Sequence, residues 1–220
     1  MGLSNQGKTP GRTTLLETVN VCLEAIGEMP VDTLEHEQVG DARVAESILL
    51  EIHKQGQTEG WHWNTETQYP FAKDQITREV VVPSSVIRFF PDPYNTARRF
   101  ILRGQRVYDT WNRSYQYDDT VDEIHADVTW LLPWDDCPEV FNRWVATRGA
   151  RVFAARMLGD NSTVQFAALD ERNARAELER VEHESTGYNI LTDGYGLSPF
   201  PTYVPGMGLV TRRLGAGLRL

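Results

Sequence analysis

The chain has 220 residues, 40% of them hydrophobic, which is enough to bury a real core as one large domain or two small ones. A formal net charge of −9 argues against a general nucleic-acid binder, because neutralising phosphates requires a basic face. Cys22 and Cys137 fall in expected helical surroundings and read as buried thiols from a reducing compartment, and no apolar run approaches the roughly 20 residues that span a bilayer. These features predict a soluble chain made in the cytoplasm, with no disulfide scaffold and no membrane partner.

Residues 1–12 are polar and read as a tail. Thr14 and Glu17 form a capping box, after which Leu15, Leu16, Val19, Cys22, Leu23 and Ile26 share one helical face up to the stop at Gly27. Met29-Pro30-Val31 reads as an extended connector, since proline pushes the residue before it out of the α region. A second helix is predicted from about Asp41, with Ala45, Ile48, Leu49 and Ile52 buried, fading between Gly56 and Gly60.

From Trp61 to Trp130 the period changes to two-residue alternation. Expected strands are Ile76–Val82, Ser85–Phe90, Arg99–Arg103, Arg106–Thr110 and Ile124–Leu131, with Gly104-Gln105 as a tight turn. Asp136 is then the expected N-cap of a third helix, with Pro138 in its first turn and Glu139 completing a D-x-x-E capping box. That helix carries Phe141, Trp144, Val145, Arg148, Val152 and Ala155 on one face and stops at Gly159. A fourth helix follows at once, capped among Asp160, Asn161, Ser162 and Thr163, with Phe166, Ala167, Ala174, Leu178 and Val181 as a sparse apolar stripe. So short a connection predicts an antiparallel helical hairpin.

The expected fold class is therefore α+β: a four-helix core with a β-sheet region inserted between the second and third helices, and an extended C-terminal tail. The corresponding segments are 13–60 and 132–187 for the two halves of the helical core, 61–131 for the β region and 188–220 for the tail. The tail beyond Gly194 has no acidic residue, and its Phe200, Tyr203, Arg212 and Arg213 are candidates for docking a partner.

Little in the sequence points to chemistry. The five histidines lack metal-binding spacing and neither cysteine has a C-x-x-C partner, so no metal is expected. Asp118, Asp119, Asp122, Glu123 and Asp127 could hold an acid/base pair of the glycosidase kind, but a clustered run is more simply a solvated acidic face. The tryptophans could offer a sugar surface, although Trp144, Trp61 and Trp63 fall where packing needs them. The informative feature is charge separation. Residues 84–113 hold six arginines against Asp92 and Asp109, a local charge of +4, whereas residues 114–139 hold eight carboxylates and no Lys or Arg, a local charge of −8. Arg98, Arg99 and Arg103 on one side and Asp118, Asp119 and Asp122 on the other are candidates for a head-to-tail subunit interface, with local neutralisation inside the sheet as the competing reading.

Four stretches together carry a resemblance: CLEAIGEMPVDTLE from Cys22, ILLEIHKQGQTEGWHWNTE from Ile48, PEVFNRWVATRGARVFAARMLG from Pro138 and GYNIL from Gly187. In this order and spacing, the AIG-x-x-PV, GW-x-x-N and PE-x-F-x-x-W elements resemble the tail tubular protein A family, the head-to-tail adaptors of short-tailed, T7-like bacteriophages. The resemblance implies a structural virion protein with no enzyme activity and no cofactor, synthesised in the host cytoplasm and built into the virion tail. It further implies a dodecameric ring as homo-oligomer, contacts with a portal protein, a tail nozzle protein and tail fibre, and a channel that passes double-stranded DNA without specific binding. The alternative from another class is a tail-associated polysaccharide-degrading enzyme using carboxylates near 118–127.

Overall fold

Helix α1 (Leu15–Glu24) begins where the Thr14 hydroxyl accepts the Glu17 N–H at 3.2 Å and the Glu17 carboxylate accepts the Thr14 N–H at 2.9 Å, the reciprocal box that its sequence predicts. This is seen in a computed structural model that describes residues 11–34, 40–91, 100–159 and 161–186 and divides the chain into two compact units, 1–182 and 183–220. Val19, Cys22 and Leu23 are buried, and Gly27 takes φ +81°, where a side chain would be strained, so that the Glu28 N–H can reach back to the Leu23 carbonyl. The chain then leaves through Pro30, and the Asn20 amide clasps both the N–H and the carbonyl of Val31 at 2.8 and 3.0 Å.

Helix α2 (Gly40–Gln57) buries Ala45, Ile48, Leu49 and Ile52 as predicted, and adds His53, Gly56 and Gln57. The third helix departs from expectation at its start. Trp134–Asp136 is a single 3-10 turn and Pro138 is the N-cap of α3 (Glu139–Leu158), so Asp136 caps nothing and its box with Glu139 does not form. Glu139 is instead engaged by the N-terminal segment, accepting the Thr13 N–H at 2.9 Å and the Thr13 hydroxyl, while Trp134 Nε1 donates to the Thr13 carbonyl at 2.8 Å.

Phe141, Trp144, Val145 and Phe153 of α3 are buried, and Val152 is only partly so. Gly159 ends α3 in the left-handed region at φ +65°, and α4 (Asn161–Thr186) runs back. The pairing of Arg148 and Arg151 with Glu171, and of Trp144 with Arg175, shows that stepping forward along α4 steps backward along α3. One hydrophobic cluster joins α1, α2 and α3 with Trp61, Trp134 and Leu178 of α4.

Between α2 and α3 the described residues form five strands. β1 (Thr65–Ala72), β2 (Val86–Pro91) and β5 (Glu123–Trp130) form an antiparallel sheet in the order β1-β5-β2, and β3 (Phe100–Arg103) and β4 (Arg106–Asp109) form a hairpin. The hairpin closes through Gly104 at φ +65°, pairing Arg103 with Arg106. A second hydrophobic cluster, built around Phe71, Val80, Val107, Ile124 and Val128, sits beneath these strands. The expected strand Ile76–Val82 is not one. Asp74 Oδ1 accepts the N–H groups of Ile76 and Thr77 at 2.8 Å to fold a turn, and the segment then makes only isolated bridges, Glu79 to Gln116 and Val81 to Arg106. Its alternation still holds, with Val80 and Val82 buried and Val81 exposed. Helices flanking and strands between them make the chain an α+β protein.

Candidate assembly surfaces

The motif residues at the joint between helices and sheet form a polar clamp. Gln57, at the last turn of α2, donates from Nε2 to the Leu132 carbonyl at 3.0 Å and accepts the Leu132 N–H on Oε1 at 2.7 Å. Asn64 donates to the carbonyls of Gln57 and Trp130 at 3.0 Å each and accepts the Trp61 N–H at 2.8 Å, and its own carbonyl accepts the Trp130 N–H. Trp61 Nε1 donates to the Gly56 carbonyl at 2.9 Å. Both amide side chains are buried, so each hydrogen bond satisfies a group that would otherwise be stranded away from water. The GW-x-x-N element thus fixes the exit of β5 to the end of α2.

Around this clamp the aromatic residues pack. His53 lies stacked on Trp134 with ring centroids 5.1 Å apart and edge-on to Phe141, and its Nε2 is 3.4 Å from Cys137 Sγ. Burial lowers the His53 pKa to about 4 and pushes both Cys22 and Cys137 up to about 12, so the thiols stay protonated and serve as apolar filling. Arg175 of α4 reaches over Trp61 at 4.9 Å and binds both oxygens of Glu59 at 3.0 and 2.6 Å, and that carboxylate raises its pKa further.

Of the carboxylates singled out from the sequence, Asp118 and Asp127 accept backbone N–H groups, and Glu123 lies 3.2 Å from His125. Asp118 accepts the Thr120 N–H at 3.2 Å and its hydroxyl, and its carbonyl accepts Lys73 Nζ at 2.8 Å. Asp119, 86% exposed, lies 4.0 Å from Lys73 and 3.7 Å from Arg78. The Asp122 carbonyl accepts the Lys73 N–H, and Asp127 accepts the Gln68 N–H at 2.9 Å, holding the φ +54° of a bulge in β1. Among the described residues no group of His, Cys, Asp or Glu is arranged to hold a metal ion, and no helix is long and apolar enough to cross a membrane.

The arginines of the sheet are differently placed. Arg88 donates to the Thr58 and Glu59 carbonyls at 3.2 and 3.0 Å, capping the end of α2. Arg103 stacks 3.8 Å from the Tyr108 ring, and Arg106 bonds Glu79 at 3.2 Å while lying 4.5 Å from the Tyr115 ring. Arg98 and Arg99, like Phe200, Tyr203, Arg212 and Arg213 of the tail, lie outside the described residues. The register of the hairpin puts Ile101, Arg103, Arg106 and Tyr108 on its outward face, with Phe100, Val107 and Asp109 buried beneath. Trp111, in the loop that follows β4, is 67% exposed. Its prominence was not legible as such, although the alternation across Gly104-Gln105 does predict which hairpin residues point outward.

Two shallow grooves flank α4. One, of about 650 Å³, is lined by Val21, Val140, Thr147, Ala150 and Ala174. The other, of about 520 Å³, is lined by Trp144, Arg148, Arg151, Glu171 and Arg175, its cations largely matched by carboxylates.

The described residues thus hold a hydrogen-bonded joint between two hydrophobic clusters, and a hairpin with an outward face of arginine and tyrosine. Residues 16–188 match the family described as tail tubular protein, a span running from α1 to just beyond α4. The chain belongs to the tail tubular protein family of short-tailed phages, and is a structural component of the virion tail. No curated protein matches it.

Proposed function

We propose that this subunit is the ring-forming adaptor that joins the portal to the tail nozzle, helps to seat tail fibres at that junction, and leaves a channel for the genome. The observation that carries the reading is the family match over residues 16–188, which takes in both the helical core and the sheet. A dodecamer is the expected ring. A subunit of net charge −9 suits a bore through which a duplex slides, since like charge keeps DNA from adhering whereas a basic lining would hold it. The division into helical halves 13–60 and 132–187, β region 61–131 and tail 188–220 belongs to the same proposal, with the tail carrying the contact to portal or nozzle. The test is the native mass of the purified chain, alone and mixed with portal protein. A discrete ring that binds the portal is expected; a chain that stays monomeric under both conditions would overturn the adaptor role. No observation among the described residues favours the glycan-degrading alternative.

A further inference from the structure

We infer that the outward face of the β3–β4 hairpin, together with Trp111, is the surface that receives the acidic segment Asp118–Glu123 of a second copy of this chain. The inference rests on the ring reading above and names the contact that would close the ring.

Three observations carry it. The first is composition and geometry: Arg103 on Tyr108, Tyr108 against Tyr115 at 4.9 Å and Arg106 on Tyr115 make a continuous stack of guanidinium and phenol groups on one side of the hairpin. Arginine, tyrosine and tryptophan are the residues that dominate protein interfaces, because they bring large, rigid contact area and directed polar groups at low entropic cost. The second is that the anchor is rigidly presented. Asp109, fully buried, accepts the N–H groups of Trp111 and Asn112 at 2.8 and 3.2 Å and the Asn112 side-chain amide at 3.0 Å, while Asp109 and Ser114 exchange backbone hydrogen bonds. A loop so tied holds out a large apolar ring, 67% exposed, at no evident benefit to the isolated subunit.

The third is charge complementarity within one sequence. The hairpin and its loop carry Arg103, Arg106 and Arg113; their one carboxylate, Asp109, is turned inward, and Arg106 is paired with Glu79, so Arg103 and Arg113 carry the plus charge of the face. Asp118, Asp119, Asp122 and Glu123 are all exposed, with Lys73 and Arg78 as the cations described near Asp119. A plus face and a minus face at different places on one subunit make a heterologous contact, which closes when its rotation divides the circle. Charge then sets orientation and register while Trp111 and the tyrosines supply the buried apolar area.

The experiment uses full-length chains and charge exchange. One variant carries Arg103→Glu and Arg113→Glu, the other Asp119→Lys and Asp122→Lys. Each is expected to sediment as monomer in low salt with a thermal transition close to that of the parent. An equimolar mixture is expected to restore the ring, because alternating subunits again oppose unlike charges at every interface. Trp111→Ala is expected to weaken assembly at least tenfold without altering the fold. Should the glutamate variant fail to fold, Arg103→Gln with Arg113→Gln is assayed alone in its place, and is expected to assemble less than the parent at equal concentration. Variants that assemble alone as the parent does, or folded variants whose mixture stays monomeric, overturn the inference and leave the ring reading standing. A parent that never assembles overturns both.

Discussion

Gly149 of α3 lies directly against Leu49 of α2: a β-carbon built on Gly149 would sit far inside contact distance of Leu49 Cδ2, 3.3 Å from Leu49 Cγ and 3.7 Å from Cys22 Sγ of α1. Side chains of α1 and α2 thus both reach a residue of α3 that has no side chain of its own. Gly56 of α2 plays the reciprocal part, where an added β-carbon would stand 2.6 Å from Trp144 Cζ3 and 2.9 Å from Phe141 Cε2.

In an ordinary helix interior Gly→Ala stabilises by about 1 kcal/mol. Here Gly149→Ala is expected to destabilise by about 1–3 kcal/mol, the cost of overpacking a closed core. Leu49→Ala alone should cost about 2–5 kcal/mol. The double variant should fall short of the sum by more than about 0.5 kcal/mol, because removing the leucine makes room for the alanine. Denaturant unfolding of the four proteins checks this, and strict additivity would place the two residues out of contact.

Asn64→Ala is expected to cost about 1–3 kcal/mol, since it takes the acceptor from the Trp61 N–H and a donor from each of the Gln57 and Trp130 carbonyls in a buried joint, the Gln57 carbonyl keeping the Gly60 N–H. Hydrogen exchange should show the loss first at the Trp130 amide, where β5 leaves the clamp. A cost confined to α2 would mean that the sheet is held by other contacts.

The buried His53 makes stability depend on pH. Its folded pKa of about 4 lies below the ordinary 6.5, so the unfolded chain binds the proton first as pH falls. Its contribution is complete above about pH 6.5 and is lost between there and about pH 4, with a slope of up to about 1.4 kcal/mol per pH unit. The surrounding Trp134, Phe141, Gln57 and Cys137 offer an imidazolium no counter-charge. Unfolding free energies of the parent and of His53→Gln measured across that window should show the variant with the flatter profile.

Truncation after Asp193 is expected to leave the melting transition unchanged, because every strand and helix described ends by Thr186. On the adaptor reading the truncated chain should bind portal or nozzle more weakly. Co-sedimentation with each partner measures this, and undiminished binding would remove Phe200, Tyr203, Arg212 and Arg213 from the docking surface.

Much of the fold was legible where local chemistry and tertiary packing agree. Thr14 and Glu17 announce α1, and the spacing of Ala45, Ile48, Leu49 and Ile52 announces the buried face of α2. β1 was missed because TETQYPFA is polar, contains Pro70 and buries little besides Phe71, so it has no alternation to find. The segment 76–82 misled in the opposite sense: its β-branched residues suit a strand, but Asp74 takes the amides of Ile76 and Thr77 and turns the chain before a ladder can form. Asp136 and Glu139 have the spacing of a capping box, yet Pro138 starts the helix between them and Thr13, distant in sequence, takes the glutamate. The charge blocks were visible in the composition. That Arg88 would close the end of α2 and Arg103 would lie on Tyr108 depends on strand register, which no local pattern carries.

The bulge in β1 bears on how the edge of its sheet can meet another chain. β1 is an outer strand of its sheet, and such a strand offers a row of backbone groups on which another chain can add without limit. Here Pro70 removes one donor from the strand, and the kink at Gln68, pinned by Asp127, breaks the spacing of the rest. An edge so interrupted is a poor template for strand addition, which leaves side-chain contacts rather than backbone ladders as the means by which this side of the sheet can be recognised.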